Sequence, residues 1–275
     1  MAQARRSPHA PGRVMRDFGR AAGGALIFSL PMLMTMELWA LGFSLDRGRL
    51  VLLMLACLPL LVALSRHIGF ERTGDWRSDL FDALIALGVA AVISVAVLSL
   101  LGVIGPGSAP DAVLGKVAIQ MVPASIGALL AKSQFGAEAE DEPKEETWWG
   151  ELFLMAVGAL FLGLNVAPTE EVMLISHQMT HWHALALVAL SLALMHGFVF
   201  SVGFAGGSQI SHDEPWWCAF IRMTLPGFAV ALGVSFCLLW LFAQTDGLSF
   251  DSALMAAIVL AFPCAIGAAA ARLIL

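Results

Sequence analysis

Apolar residues in this chain gather into long runs separated by short polar connections. Eight runs approach or exceed the roughly 20 residues that carry a helix across about 30 Å of hydrocarbon. They lie at about 22–44, 50–65, 81–103, 112–130, 150–176, 183–203, 217–243 and 252–273, the second being the shortest. A helix satisfies its own backbone donors and acceptors, which lipid cannot do, so the pattern predicts an all-α polytopic membrane protein.

Composition agrees: 59% hydrophobic residues, 13% charged residues and a mean hydropathy of +0.83 exclude an ordinary soluble domain. Charge then orients the spans. Arg5, Arg6, Arg13, Arg16, Arg20, Arg66, Arg72, Arg77, Lys132, Lys144, Arg222 and Arg272 fall on one side, against Arg47, Arg49 and Lys116 on the other. Both termini are therefore expected in the cytoplasm, across a bacterial inner membrane. Tryptophans mark both boundaries, with Trp76, Trp148, Trp149, Trp216 and Trp217 inside and Trp39, Trp182 and Trp240 outside. Residues 1–21 read as a basic cytoplasmic tail, because the run behind them is too long for a cleaved signal. Cys57, Cys218, Cys237 and Cys264 are scattered without a Cys-x-x-Cys and read as small packing residues.

The two halves of the chain resemble each other. An offset of 134 pairs Gly24-Ala25-Leu26 with Gly158-Ala159-Leu160, Thr35 with Thr169, Glu37 with Glu171 and Gly69-Phe70 with Gly203-Phe204. Further on, Arg77 and Ala86-Leu87-Gly88-Val89 match Arg222 and Ala231-Leu232-Gly233-Val234. Asp111, Pro123 and Ile126-Gly127 then match Asp251, Pro263 and Ile266-Gly267. The expected organisation is a first four-helix repeat at 22–130, an acidic cytoplasmic linker at 131–149 and a second four-helix repeat at 150–275. An even number of spans per half makes the repeats parallel, about an axis along the membrane normal.

Glu37 and Glu171 are the chemistry to explain. Counting 1.5 Å per residue along one continuous helix puts Glu37 roughly 12 Å below the outer surface. An acid at such depth must face protein, water or a bound cation, or else stay protonated, which makes a functional site the first reading and a neutral Glu tying two helices by a hydrogen bond the structural alternative. Around the second acid, Pro168 cannot donate to the Leu164 carbonyl, and Asn165, Thr169 and Glu170 add side-chain oxygens. Hard cations such as Ca²⁺ or Na⁺ take oxygen sets of this kind. In the first half only Thr35 accompanies Glu37. The expected site is Glu37, Glu171, Glu170, Asn165, Thr169 and Thr35.

His177, His181 and His183 follow in SHQMTHWH and could bind a transition metal, sense pH or simply form a polar turn. His196 lies in the sixth run, where the first half has Val62. Glu170-Glu171 followed by His196 is similar to the glutamate pair and histidine of the prenyl-protein (CAAX) protease family. That family places an Arg soon after the pair and a later His with an Asn helper, and this chain has neither. No lysine lies in the seventh run to bind retinal.

At TMELWALGF and NVAPTEEV the chain resembles a family of bacterial integral membrane proteins of unknown function. The resemblance implies a bacterial inner membrane and carries no site residue with it. The Pro-Thr-Glu-Glu string is also similar to signatures of cation exchangers, whose inverted five-span repeats are absent here, so that likeness is one of chemistry alone. The expected function is a cation channel or transporter, with Ca²⁺ as one candidate ion; a proton-coupled solute carrier and an intramembrane protease are the alternatives. No organic cofactor and no nucleic-acid partner are expected. The partners are the lipid bilayer and an inorganic cation, and small residues such as Gly23-Gly24 permit packing within one chain or in a homo-oligomer.

Overall fold

The structure, a computed structural model, describes residues 11–68, 76–134, 147–201 and 216–274. Residues 1–10 of the basic tail and most of the acidic linker, together with Gly69-Phe70 and Gly203-Phe204, lie outside the described residues. The described chain is helical and has no strand. In order it forms α1 (Pro11–Leu33), α2 (Met36–Ser44), α3 (Arg47–Ile68), α4 (Trp76–Leu100), α5 (Pro110–Gln134), α6 (Trp148–Val166), α7 (Glu170–Gln178), α8 (His181–Ser201), α9 (Trp216–Ala219), α10 (Leu225–Leu241) and α11 (Phe250–Ile274), with a π-turn at Phe220–Thr224 between α9 and α10. Seven of these helical stretches are long and apolar enough to cross a membrane, or eight when the bent pair α1–α2 counts as one span. The short second run proves to be part of a full span, Arg47–His67.

The chain divides into two compact units: residues 1–43 with 50–139, and residues 44–49 with 140–275. In the first, α5 packs against both α1 and α4. Its span is 78% buried, against 33% for α4, so α5 is the core element. In the second, α11 takes that place, packing against α6, α7, α8 and α10. A glycine crossing anchors each unit. A Cβ on Gly24 would run into the Gly127 carbonyl and the Ala131 side chain, and one on Gly158 would run into the Gly267 carbonyl and the Ala271 side chain. Small residues at such crossings let two backbones approach, which is how helices gain contact in lipid. Both crossings fall at positions the sequence alignment pairs.

Where the hydropathy predicts single spans at 22–44 and 150–176, the structure breaks both. α1 stops at Leu33, and α2 leaves it at an angle of 86°. The exposed carbonyls of the broken end are closed one by one. Met34 N donates to Leu30 O at 3.2 Å, Thr35 Oγ1 to Pro31 O at 2.6 Å, Thr35 N to Met32 O at 3.2 Å and Trp39 Nε1 to Leu33 O at 2.8 Å. Gln120 Nε2, from α5, also donates to Met32 O at 2.9 Å. In the second unit α6 ends at Val166, and Pro168 interrupts the ladder before α7 begins at Glu170. The 12 Å depth assigned to Glu37 therefore does not hold. It assumed a straight helix, and α2 turns almost at right angles before Glu37 is reached.

Gln120 is 1% exposed, and its Oε1 has no hydrogen-bond partner among the described residues. The alignment places Leu260, also fully buried, at the same position of the second half. In Gln120→Leu the bond lost to Met32 O is worth about 1 kcal/mol, and that carbonyl keeps Thr35 N. The orphan oxygen removed had cost about 1–3 kcal/mol. Gln120→Leu is thus expected to be at least as heat-stable as the parent in lipid nanodiscs. A midpoint lowered by several degrees would show that Oε1 has a partner in the membrane.

Candidate functional site

In the second unit, the break between α6 and α7 carries four of the sequence-selected residues. Thr169 caps α7 with extended backbone, and its Oγ1 donates to Val166 O at 2.8 Å. Asn165 Nδ2 donates to Phe161 O at 2.8 Å, leaving its Oδ1 buried without a partner among the described residues. Glu170 and Glu171 form the first turn of α7 and are exposed. Backbone N–H groups at a helix start favour negative charge nearby. Neither makes a hydrogen bond or ion pair among the described residues. They line an open cavity of about 480 Å³ with Met173, Leu174, His177 and Gln244. The opening, two carboxylates and an amide suit a cation that keeps part of its water shell.

Glu37 stands in the same local setting within the first unit, in the first turn of α2 just past the break. It is half-buried and likewise has no hydrogen bond or ion pair among the described residues. Thr35 turns its hydroxyl back to Pro31 O, which occupies the donor and leaves the oxygen lone pairs.

The three sequence-selected histidines go three separate ways. His177 Nδ1 lies 2.6 Å from Met173 O on its own helix, and only this histidine joins the cavity. His183 Nδ1 accepts from Thr180 N at 3.2 Å and meets Thr180 Oγ1 at 2.8 Å, folding the ring back over the start of α8. His181 Nε2 is 3.2 Å from Asp251 Oδ1, joining the starts of α8 and α11. Among the described residues no three His, Cys, Asp or Glu side chains gather as metal ligands.

His196 belongs to a different place. Its Nδ1 is 3.1 Å from Thr224 Oγ1, and its ring stands edge-on to Phe220 at 5.3 Å. Both partners lie in the π-turn, where Leu225 N donates five residues back to Phe220 O. Pro226 has no N–H to offer Arg222 O, and Trp148 Nε1 supplies the missing donor at 2.9 Å. Glu171 makes no hydrogen bond or ion pair with His196 among the described residues. Sequence reasoning missed Glu151, a 2% exposed acid in the first turn of α6. A signal existed: the offset of 134 pairs Glu151 with Asp17. Pro226 in an apolar span likewise marks a backbone carbonyl needing a new partner.

No curated protein and no solved structure matches the chain. A family profile does, across residues 17–275, and it covers both units and every helix named above except the first turns of α1. The chain belongs to the DUF2391 family of integral membrane proteins.

Proposed function

We propose that this protein conducts or transports cations, with the acids that open α7 forming a charged entrance in the second unit and Glu37 opening α2 in the first. The observation that carries the reading is the α7 cavity: Glu170 and Glu171, exposed and without protein partners among the described residues, face it together with His177 and Gln244. A helix-tying role would give these carboxylates a donor, and none is seen among the described residues. Glu37 at the start of α2 repeats the arrangement. The matching glycine crossings, breaks and acids support an internal duplication into two parallel four-span repeats. Asn165, Thr169 and Thr35 shape the breaks and hold spare acceptor oxygens. The cation is inorganic, with Ca²⁺ the first to try because two adjacent carboxylates match a divalent charge. The setting is the bacterial inner membrane, with both termini in the cytoplasm, by the arginine and lysine distribution.

The test is flux into liposomes that hold the purified chain, scanned over Ca²⁺, Na⁺, K⁺ and H⁺, with Glu37→Gln and Glu171→Gln alongside. Cation flux weakened by both substitutions supports the reading. Folded protein that passes no cation would sink it. A proton-coupled solute carrier is the second reading, favoured by the His196–Thr224 contact within the spans.

A further inference from the structure

The geometry points to a proton-binding site inside the second unit, formed by Glu151 of α6 and His196 of α8 with Thr224 of the π-turn between them. α6 and the chain from the π-turn into α10 run side by side in the same direction, and two contacts fix their register. Trp148 Nε1 reaches Arg222 O at 2.9 Å, and the Met155 side chain lies against Gly227, where a Cβ would be 2.7 Å from Met155 Cε. Residues 148, 151 and 155 share one face of a helix. Glu151, between the two anchored positions and 2% exposed, therefore faces the stretch between Arg222 and Gly227, at the level of Thr224, which is fully buried. α8 closes the third side. Met195 Cε also lies against Gly227, and the neighbouring His196 meets Thr224 at 3.1 Å.

The register thus brings a carboxylate to the level of a hydroxyl and an imidazole that are already in contact, where the backbone itself departs from α geometry. π-turns of this kind are rare and gather at functional sites. Acids and histidines within spans mark proton relays. The chemistry selects the proton. With one proton shared, the pair is neutral overall; losing it leaves one negative charge, and gaining a second leaves one positive charge. Glu151 and Thr224 are buried, so the neutral state with one proton is the one this setting favours. Other titratable or charged groups on the surrounding elements are few. They are Arg222, whose side chain is exposed, Cys218 on α9, the exposed Cys237 on α10, Cys264 and, at the start of the helix, Asp251 on α11, and His181 and His183 at the start of α8, while Arg272 lies outside the described side chains. This site stands apart from the α7 acids: His196 is fifteen residues along α8 from His181, about 22 Å of helix.

The experiment is a histidine titration by NMR on the full chain in lipid nanodiscs, with isotope-labelled imidazoles and His196 assigned through His196→Asn. Glu151→Gln is expected to weaken proton binding at His196 about tenfold or more, since the imidazolium loses its counter-charge. Thr224→Val should shift it less, and Thr224→Ser should restore it. His181, in the same spectra, should not move. Should Glu151→Gln fail to fold, Glu151→Asp retains the charge at a greater distance and should shift His196 in the same direction. A His196 midpoint unchanged in these Glu151 variants overturns the site. The titration needs no ion flux, so its outcome is independent of the cation reading.

Discussion

Gly158→Leu is expected to abolish recovery of folded, monodisperse protein, while Gly197→Leu and Gly233→Leu are expected to fold normally. All three glycines lie inside helices. Exchanging glycine for leucine gains up to about 1 kcal/mol of helix propensity at each. Space decides between them. At Gly197 and Gly233 a Cβ meets nothing within 4 Å. At Gly158 it meets the carbonyl of Gly267, which is main chain and cannot rotate aside, and the Ala271 side chain behind it. Overpacking against movable side chains costs about 1–3 kcal/mol, and separating two helix backbones costs more, because the α6–α11 contact is the spine of the second unit. Gly158→Ala should fall between, with a lowered thermal midpoint and some folded protein. Gel filtration and thermal midpoints in nanodiscs read the series. Equal stability of Gly158→Leu and Gly197→Leu would mean that the helices do not cross there.

The same glycines show what the sequence could reveal. Gly24 and Gly158 stood out because one offset paired them along with Thr35, Glu37 and their counterparts, and the structure puts each at a backbone crossing within its own unit. The spans were legible too, since hydropathy reports transfer into lipid directly. The helix breaks were not. Hydropathy sums side chains, and a turn at Met34-Thr35 is made by hydrogen bonds: Thr35 to Pro31, Trp39 to Leu33, and Gln120 from a helix more than eighty residues away. No local window contains that last partner. Glu151 escaped for a related reason. It lies near a span boundary, where an acid reads as solvated, and only the packing of α6 against the π-turn shows it to be buried. The histidine cluster failed in the opposite way, since nearness in sequence suggested a shared ligand while three different hydrogen bonds separate the rings.

The second large effect belongs to the α7 entrance. The double variant Glu170→Gln, Glu171→Gln is expected to lower cation flux about tenfold at low ionic strength, the lower end of the 10–10³ by which a charged mouth enriches its ion. Glutamine preserves the cavity shape and the helix start, so size and fold are held constant and only charge changes. Salt then separates two ways the acids can act. Attraction exerted through solvent fades as the Debye length shrinks from about 10 Å at 0.1 M towards 3 Å at 1 M. Direct ligation of a cation that has shed water is screened far less. Because Glu170 and Glu171 are exposed and the cavity is open, attraction should dominate, and the flux ratio between parent and double variant should fall towards one as ionic strength rises. A ratio that holds at high salt would instead assign the carboxylates to the ion's own coordination shell. A ratio of one at every salt concentration would remove them from the pathway altogether.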